Sequence, residues 1–330
     1  MPRLLLTVLA LTLSTALAQP DPPRAEVRLA VLSDFNGPYG ATDYPAALGP
    51  VLRAITEVWR PDLLLMPGDL VAGQSAALPE ARFAEMWQAF DTRVAAPLRA
   101  AGIPYAATIG NHDGSSLRLA DGSFAFARER AAARAYWTQP MYQRNLAYQD
   151  RSGAPFDYSF AFGGLFVAVI DASSATLASA QLEWLQGQLS SPAARAAAYR
   201  LVVGHLPLFG VSEAKNRPGE VLSGGAELAR RFATWGADLY VSGHHAAYYP
   251  VQAGGLTLIA NGGIGARRLL GSAAAPRSSV TVLDFTLAPP RLAVRAFDAE
   301  SLEEIPIESL PARLDGLGGS VTRLDLKARP

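Results

Sequence analysis

The chain holds four histidines, each no more than two residues from a glycine: His112 in GNHD, His205 in VVGH, and His244 and His245 in GHH. Upstream, two aspartates have similar settings, Asp34 in LSDFNG and Asp69 in MPGDLVAG. Asp34, Asp69, Asn111, His205 and His244 all lie just past an apolar run of strand length. Taken singly, each has an ordinary role, as a turn residue or cap for the aspartates and as a hydrogen-bonded loop or strand-end residue for the histidines. Taken together they point to one site, because the carboxyl ends of strands in an open α/β sheet face the ligand crevice. Hard anionic aspartate combined with neutral histidine and asparagine suits Mn, Fe, Zn, Co or Ni and selects none of them. A shared carboxylate such as Asp69 could bridge two metals about 3.5–4 Å apart, clamp a phosphate and lower the pKa of an attacking water.

The elements that must position these residues follow from hydrophobic patterning. Buried strands are expected at 27–34, 62–69, 103–110, 199–205 and 237–244, and helices at 44–59, 80–100, 122–137, 178–189 and 224–235. On the 80–100 helix, Phe83, Met86, Trp87, Phe90 and Val94 form one apolar stripe. Segment 157–171 alternates around Gly163-Gly164 as a hairpin, and 139–156 reads as an irregular insertion. Beyond 248 the pattern is strand-rich and implies a second sheet. This order predicts an α/β protein, a sheet covered by helices with more strands behind it. The main domain is expected over 27–300, after a short linker at 19–26, with 301–330 an edge strand or tail.

Composition narrows the classes of function. With no cysteine, disulfides, thiolate catalysis and cysteine-ligated metals are excluded. Basic and acidic side chains balance at 29 each, so nothing draws the chain over long range to nucleic acid or an anionic membrane. The opening MPRLLLTVLALTLSTALA has a basic start, an apolar run and a small-x-small end, the pattern of a secretory signal peptide cleaved near Ala18. A secreted or periplasmic protein without a transmembrane helix is the expectation.

The segments LSDFNG, PGDLVAG, GNHD, VVGH and SGHH, in this order from residue 27 to about 265, resemble the calcineurin-like metallophosphoesterase family, with the exported purple acid phosphatase-like members nearest. The resemblance implies a four-layer αββα sandwich of two mixed β-sheets flanked by helices, a two-metal centre, and hydrolysis of phosphomonoesters or phosphodiesters. It implies that Asp34 ligates the first metal and that Asp69 bridges both. Asn111, His205 and His244 would complete the second metal. His112 would contact phosphate and protonate the leaving group, held by Asp113.

The chain departs from the family pattern around the first metal. Asn36 stands where the family often has histidine, and Ala246 stands in place of the second histidine of Gly-His-x-His. Ala72 replaces the tyrosine that purple acid phosphatases carry three residues after the bridging aspartate. The first site is therefore expected to be weak or empty unless Tyr39, Tyr248 or His245 compensates. Arg267, Arg268 and Asn261 are further candidates for substrate contact, against plainer roles as surface charges and a turn residue. The leading expectation is a metal-dependent phosphomonoesterase acting on a phosphorylated small molecule or nucleotide. The alternatives are a catalytically weakened member that binds phosphate or a protein partner, and a nucleotide phosphodiesterase.

Overall fold

A computed structural model describes residues 24–143 and 146–326. The expected signal peptide lies outside the described residues, as does most of the 19–26 linker.

Alternation along the strands explains the layering. In β1 (Val27–Val31) and β2 (Leu63–Met66), the side chains of Val27, Leu29, Val31, Leu63 and Leu65 point one way. Ala30, Leu64 and Met66 point the other. Every one of these positions is apolar, so both faces of the sheet have to be covered. The first sheet runs β12-β11-β1-β2-β3, with β1, β2 and β3 (Tyr105–Ala107) parallel and with β11 (Ser279–Leu287) and β12 (Pro290–Asp298) antiparallel. Its outer face packs on α1 (Leu48–Arg53), α2 (Glu80–Phe90), α3 (Ala96–Ala100) and, beyond the short α4 (Asn111–Gly114) that packs on it, α5 (Ala127–Trp137). A π-helical turn, Ala54–Trp59, extends α1, and another, Asp91–Ala95, joins α2 to α3. The expected stripe of Phe83, Met86, Trp87, Phe90 and Val94 is buried throughout, and Trp87 stacks on Tyr136 of α5 with ring centroids 4.8 Å apart.

The second sheet runs β13-β14-β9-β10-β8-β7-β6-β5-β4. Its parallel centre is β6 (Leu165–Val169), β7 (Tyr199–Val203), β8 (Leu239–Ser242) and β10 (Leu256–Ala260). Val167, Val169, Leu201, Val203, Leu239 and Val241 face the first sheet and interleave with Leu29, Val31, Leu63 and Leu65 in the middle layer. Phe166, Ala168, Val202 and Tyr240 face outward onto α7 (Ser179–Leu189), α8 (Pro192–Ala196) and α9 (Gly225–Thr234). The result is a four-layer αββα sandwich.

Two features differ from the sequence reading. The 139–156 segment is not irregular throughout: α6 (Pro140–Gln143) leads to β4 (Ala147–Gly153), which pairs with β5 (Asp157–Phe162) through two register shifts. Those shifts break the clean alternation that a sequence pattern depends on. The late strands do not form one sheet. β9 (Tyr249–Ala253) and β10 join the second sheet, whereas β11 returns to pair with β1 in the first. Beyond residue 300 comes a hairpin of β13 (Arg313–Gly316) and β14 (Gly319–Arg323), docked on β9 through Thr322↔Gln252 and Arg323↔Val251. Among the described residues no helix is long and apolar enough to cross a membrane.

Candidate metal centre

Each candidate donor stands a few residues past the end of a parallel strand: Asp34 after β1, Asp69 after β2, Asn111 after β3, His205 after β7 and His244 after β8. The first three come from one sheet and the last two from the other, so the site lies where the two sheets' carboxyl edges meet. The glycines of these motifs allow the strand ends to close on one another. A Cβ on Gly110 would fall 2.2 Å from the Asp69 backbone nitrogen, and one on Gly243 would fall 2.6 Å from Asp34 Oδ2. Asp34, Asp69 and His244 have left-handed backbones, with φ of 54°, 57° and 64°. Such conformations in non-glycine residues tend to gather where function holds the backbone against its preference.

Four acceptor atoms converge. His205 Nδ1 lies 2.7 Å from the Pro67 carbonyl oxygen, so Nδ1 carries the proton and the Nε2 lone pair points inward. That Nε2 is 2.9 Å from Asn111 Oδ1, 3.2 Å from Asp69 Oδ1 and 3.1 Å from His244 Nδ1. Asn111 gives its Nδ2–H to Gln74 Oε1 at 2.6 Å, which turns its Oδ1 toward His205. On the outer side of His244, Nε2 donates to Glu220 Oε2 at 2.7 Å and leaves Nδ1 facing the cluster. Lone pairs this close repel unless a proton or a metal cation sits among them, and the donor set fits a transition-metal ion. A carboxylate behind a ligating imidazole is the usual outer support of such a site. Asp69, His205 and His244 form one partial metal-ligand triad, with ligand atoms within 4.8 Å of one another.

The electrostatics point the same way. Burial opposes charge on His205, yet Asp69 and Asp34 push its pKa up to about 9, so the cluster favours a positive charge at Nε2, whether a proton or a metal ion that takes the proton's place. Burial also raises the Asp69 carboxyl, but His205 and His112 outweigh it and hold Asp69 below the usual carboxylate range. Burial lowers His244 to about 3, so it is a neutral imidazole donating to Glu220. Its bond holds the Glu220 carboxyl below its ordinary range.

The first-metal side is sparse. Asp34 Oδ2 accepts from Ser33 Oγ at 2.5 Å and from the His244 backbone N–H at 3.1 Å, and burial raises its carboxyl to about 6. Asn36 turns its amide to the carbonyl of Gly37. Ala246 is buried and offers no donor.

His245 does not swing inward. It is fully buried, its Nδ1 accepts from the N–H groups of Val211 and Ser212 at 3.2 Å each, and its Nε2 donates to the Glu220 carbonyl at 3.0 Å. Tyr248 packs with Ala296 and Ile305 in a separate buried cluster. Tyr39 is exposed, and its ring centroid lies 5.3 Å from that of His112 at the cleft mouth.

Other candidates are also redistributed. Asp113 does not hold the His112 imidazole. Its two carboxylate oxygens accept the backbone N–H groups of Gly110, Asp69, Leu70 and Val71 at 2.7–2.9 Å, and His112 Nδ1 pairs instead with the Gly73 carbonyl at 3.1 Å. Asn261 is not on a pocket rim: fully buried, it donates to Ser33 Oγ and accepts from Thr281 Oγ1, each at 2.9 Å, and so steadies the group that bonds Asp34. Arg268 turns away to the carbonyls of Ser272, Ala273 and Ala274. Arg267 lines the cleft, with its Nε buried and unpartnered among the described residues.

The cleft over the cluster has a volume of about 690 Å³, and its walls include His112, Ser116, Arg118, Ser174, Lys215, Glu220 and Arg267. Sequence reasoning missed Lys215, Glu220 and Gln74, which lie outside the glycine-bounded motifs. One signal was available: Lys215 is one of only two lysines in a chain whose other basic side chains are arginines.

The family model for calcineurin-like phosphoesterases matches residues 27–248. No curated protein matches the chain. Among solved structures, a dimetal phosphatase from Danio rerio is similar at a TM-score of 0.53 and 12% identity, over 85% of this chain and 98% of that one. GAP50, the anchor in the inner membrane complex of Plasmodium, is similar at 0.52 and 15% identity, over 84% of this chain and 86% of that one. At these identities the likeness concerns the fold.

Proposed function

Because this chain belongs to the calcineurin-like phosphoesterase family, we propose that it hydrolyses phosphate monoesters of small molecules or nucleotides in the cleft over the donor cluster. The observation that carries this reading is the convergence of Asp69 Oδ1, Asn111 Oδ1, His205 Nε2 and His244 Nδ1, with His112 lining the same cleft. These four residues would hold a Mn, Fe, Zn, Co or Ni ion, which when bound supplies Lewis-acid charge and an acidified water. His205 and His244 are aimed by Pro67 and Glu220, and Asn111 by Gln74. With Nδ1 bonded to the Gly73 carbonyl, His112 presents Nε2 to the cleft and can deliver a proton to the departing ester oxygen as water adds to phosphorus and the P–O bond breaks. Asp113 acts one step back, by fixing the backbone of the loop that carries Asp69.

A second reading, a weakened member that binds phosphate or a protein partner, is favoured by Ala246 and by Asn36, which leave the first-metal side with Asp34 as its own carboxylate. Export after cleavage near Ala18 and kinship with purple acid phosphatase-like members belong to the same proposal and rest on the sequence pattern. So do a phosphoesterase domain spanning 27–300 and the nucleotide phosphodiesterase alternative. Metal analysis and turnover of a monoester and a diester chromogenic phosphate test the proposal. Metal-dependent monoester hydrolysis that falls by about 10²–10⁴ in His112→Ala supports it. Absence of turnover across all five metals overturns it and leaves the binding role.

A further inference from the structure

The loop between β7 and α9 brings an amino group to the metal cluster. Lys215 Nζ lies 3.1 Å from His244 Nε2, 3.3 Å from His244 Nδ1 and 3.3 Å from Glu220 Oε2. Its side chain is only 13% exposed, an unusual degree of cover for a lysine. The placement is built from several directions. His245, displaced from any ligand role, bolts the loop on both sides of Lys215 through Val211, Ser212 and Glu220. Farther along, Asn216 Oδ1 accepts the Leu317 N–H at 2.6 Å. Arg217 pairs with Glu220 Oε1 at 2.9 Å, so Glu220 orients the ammonium without alone cancelling its charge.

Past the end of β1, Asp34 is left with Asn36 and Ala246 where a first metal would need donors, and Lys215 joins His205 and Ser33, as the weakest of the three, in drawing its carboxyl down. A compact, strongly hydrated ammonium can serve as a point charge for phosphate in a way that a broad guanidinium cannot. The chain otherwise uses arginine, and its other lysine, Lys327, lies outside the described residues.

We infer that Lys215 supplies a fixed positive charge to the phosphoryl group, so that this cleft works with one metal ion and a lysine where a second metal would otherwise be needed. The inference rests on the phosphoesterase reading above and deepens it. Isothermal titration of metal-free protein with Mn²⁺, and then of the loaded protein with inorganic phosphate, tests it. The wild type should take one Mn²⁺ per chain. Lys215→Met should still take Mn²⁺ but bind phosphate about 10–100-fold more weakly, the loss expected for one charge-assisted contact. Lys215→Arg should recover part of that loss. If Lys215→Met does not fold, Lys215→Gln compared with Lys215→Arg decides the matter. Two Mn²⁺ per wild-type chain, or wild-type phosphate affinity in the uncharged variant, overturns the inference while leaving the hydrolase reading intact. A wild type that binds no Mn²⁺ and turns over no ester overturns the hydrolase reading instead.

Discussion

Asp113→Asn separates two roles for this carboxylate, loop clamp or imidazole holder. Oδ1 accepts the N–H groups of Leu70 and Val71, and Oδ2 those of Asp69 and Gly110, all four at 2.7–2.9 Å in a site that is almost fully buried. Burial and Asp69 raise the group to about 6 against the pull of these amides, so it is ionised at neutral pH. Asparagine keeps the shape but turns one acceptor into a donor that faces two N–H groups. Two buried charge-assisted bonds are lost at about 1.5–3 kcal/mol each, offset at pH 7 by up to about 3 kcal/mol because asparagine escapes the cost of ionising a raised carboxyl, a net destabilisation of up to roughly 3 kcal/mol. For a chain of this size that lowers Tm on the order of 5 °C. Because Asp69 rides on the same loop, Mn²⁺ affinity should fall about 10–100-fold as well. Urea unfolding and Mn²⁺ titration measure the two effects, with His112→Ala as a comparison expected to change stability by about 1 kcal/mol or less. A variant that melts with the wild type, yet shows a shifted acid limb in its pH–rate profile, would show that Asp113 serves the imidazole and would refute the clamp.

Glu220→Gln removes the carboxylate behind His244 Nε2 and should weaken Mn²⁺ binding about 10–100-fold with little change in fold; unchanged affinity in a titration would remove Glu220 from the site's support. Ala246→His places a donor where the first-metal side lacks one and should raise Mn²⁺ content toward two per chain. It should also lower Tm, because the position is buried with a left-handed φ of 43°. Unchanged metal content would show that another group already fills the place. Asp157 gives a pH dependence away from the metal cluster. Burial raises its carboxyl from 3.8 to about 6, so the folded state holds its proton more tightly than the unfolded chain. That contribution is full below about pH 4 and is lost as pH rises through 6. Asp157→Asn cannot ionise, so its stability advantage over the wild type should widen between pH 4 and pH 7 by up to about 3 kcal/mol. A gap in urea unfolding that stays constant with pH would contradict this.

What the sequence determined by itself was local. Apolar runs ending in glycine and a polar residue marked β1, β2, β3, β7 and β8, and the strand ends named Asp34, Asp69, Asn111, His205 and His244 as donors. Period and turn chemistry act over a few residues, so these elements and the residues past them could be read one at a time. Tertiary structure decided which backbone groups those side chains meet. Asp113 and His112 are neighbours in sequence, yet the carboxylate turns to four amides of the Gly110 and Asp69 loops while the imidazole turns to Gly73. His245 follows His244 directly, but it points to the opposite side and anchors a loop. Lys215 and Glu220 have no motif around them, and they reach the cluster only because that loop folds back over His244. The return of β11 to β1 also depends on pairing between segments some 250 residues apart. Long-range pairing and buried polar satisfaction depend on the assembled chain: Asn36 and Ala246 were legible as gaps in the sequence, but only the fold decided that His245 and Tyr248 leave them unfilled and that Lys215 brings a charge to the cleft.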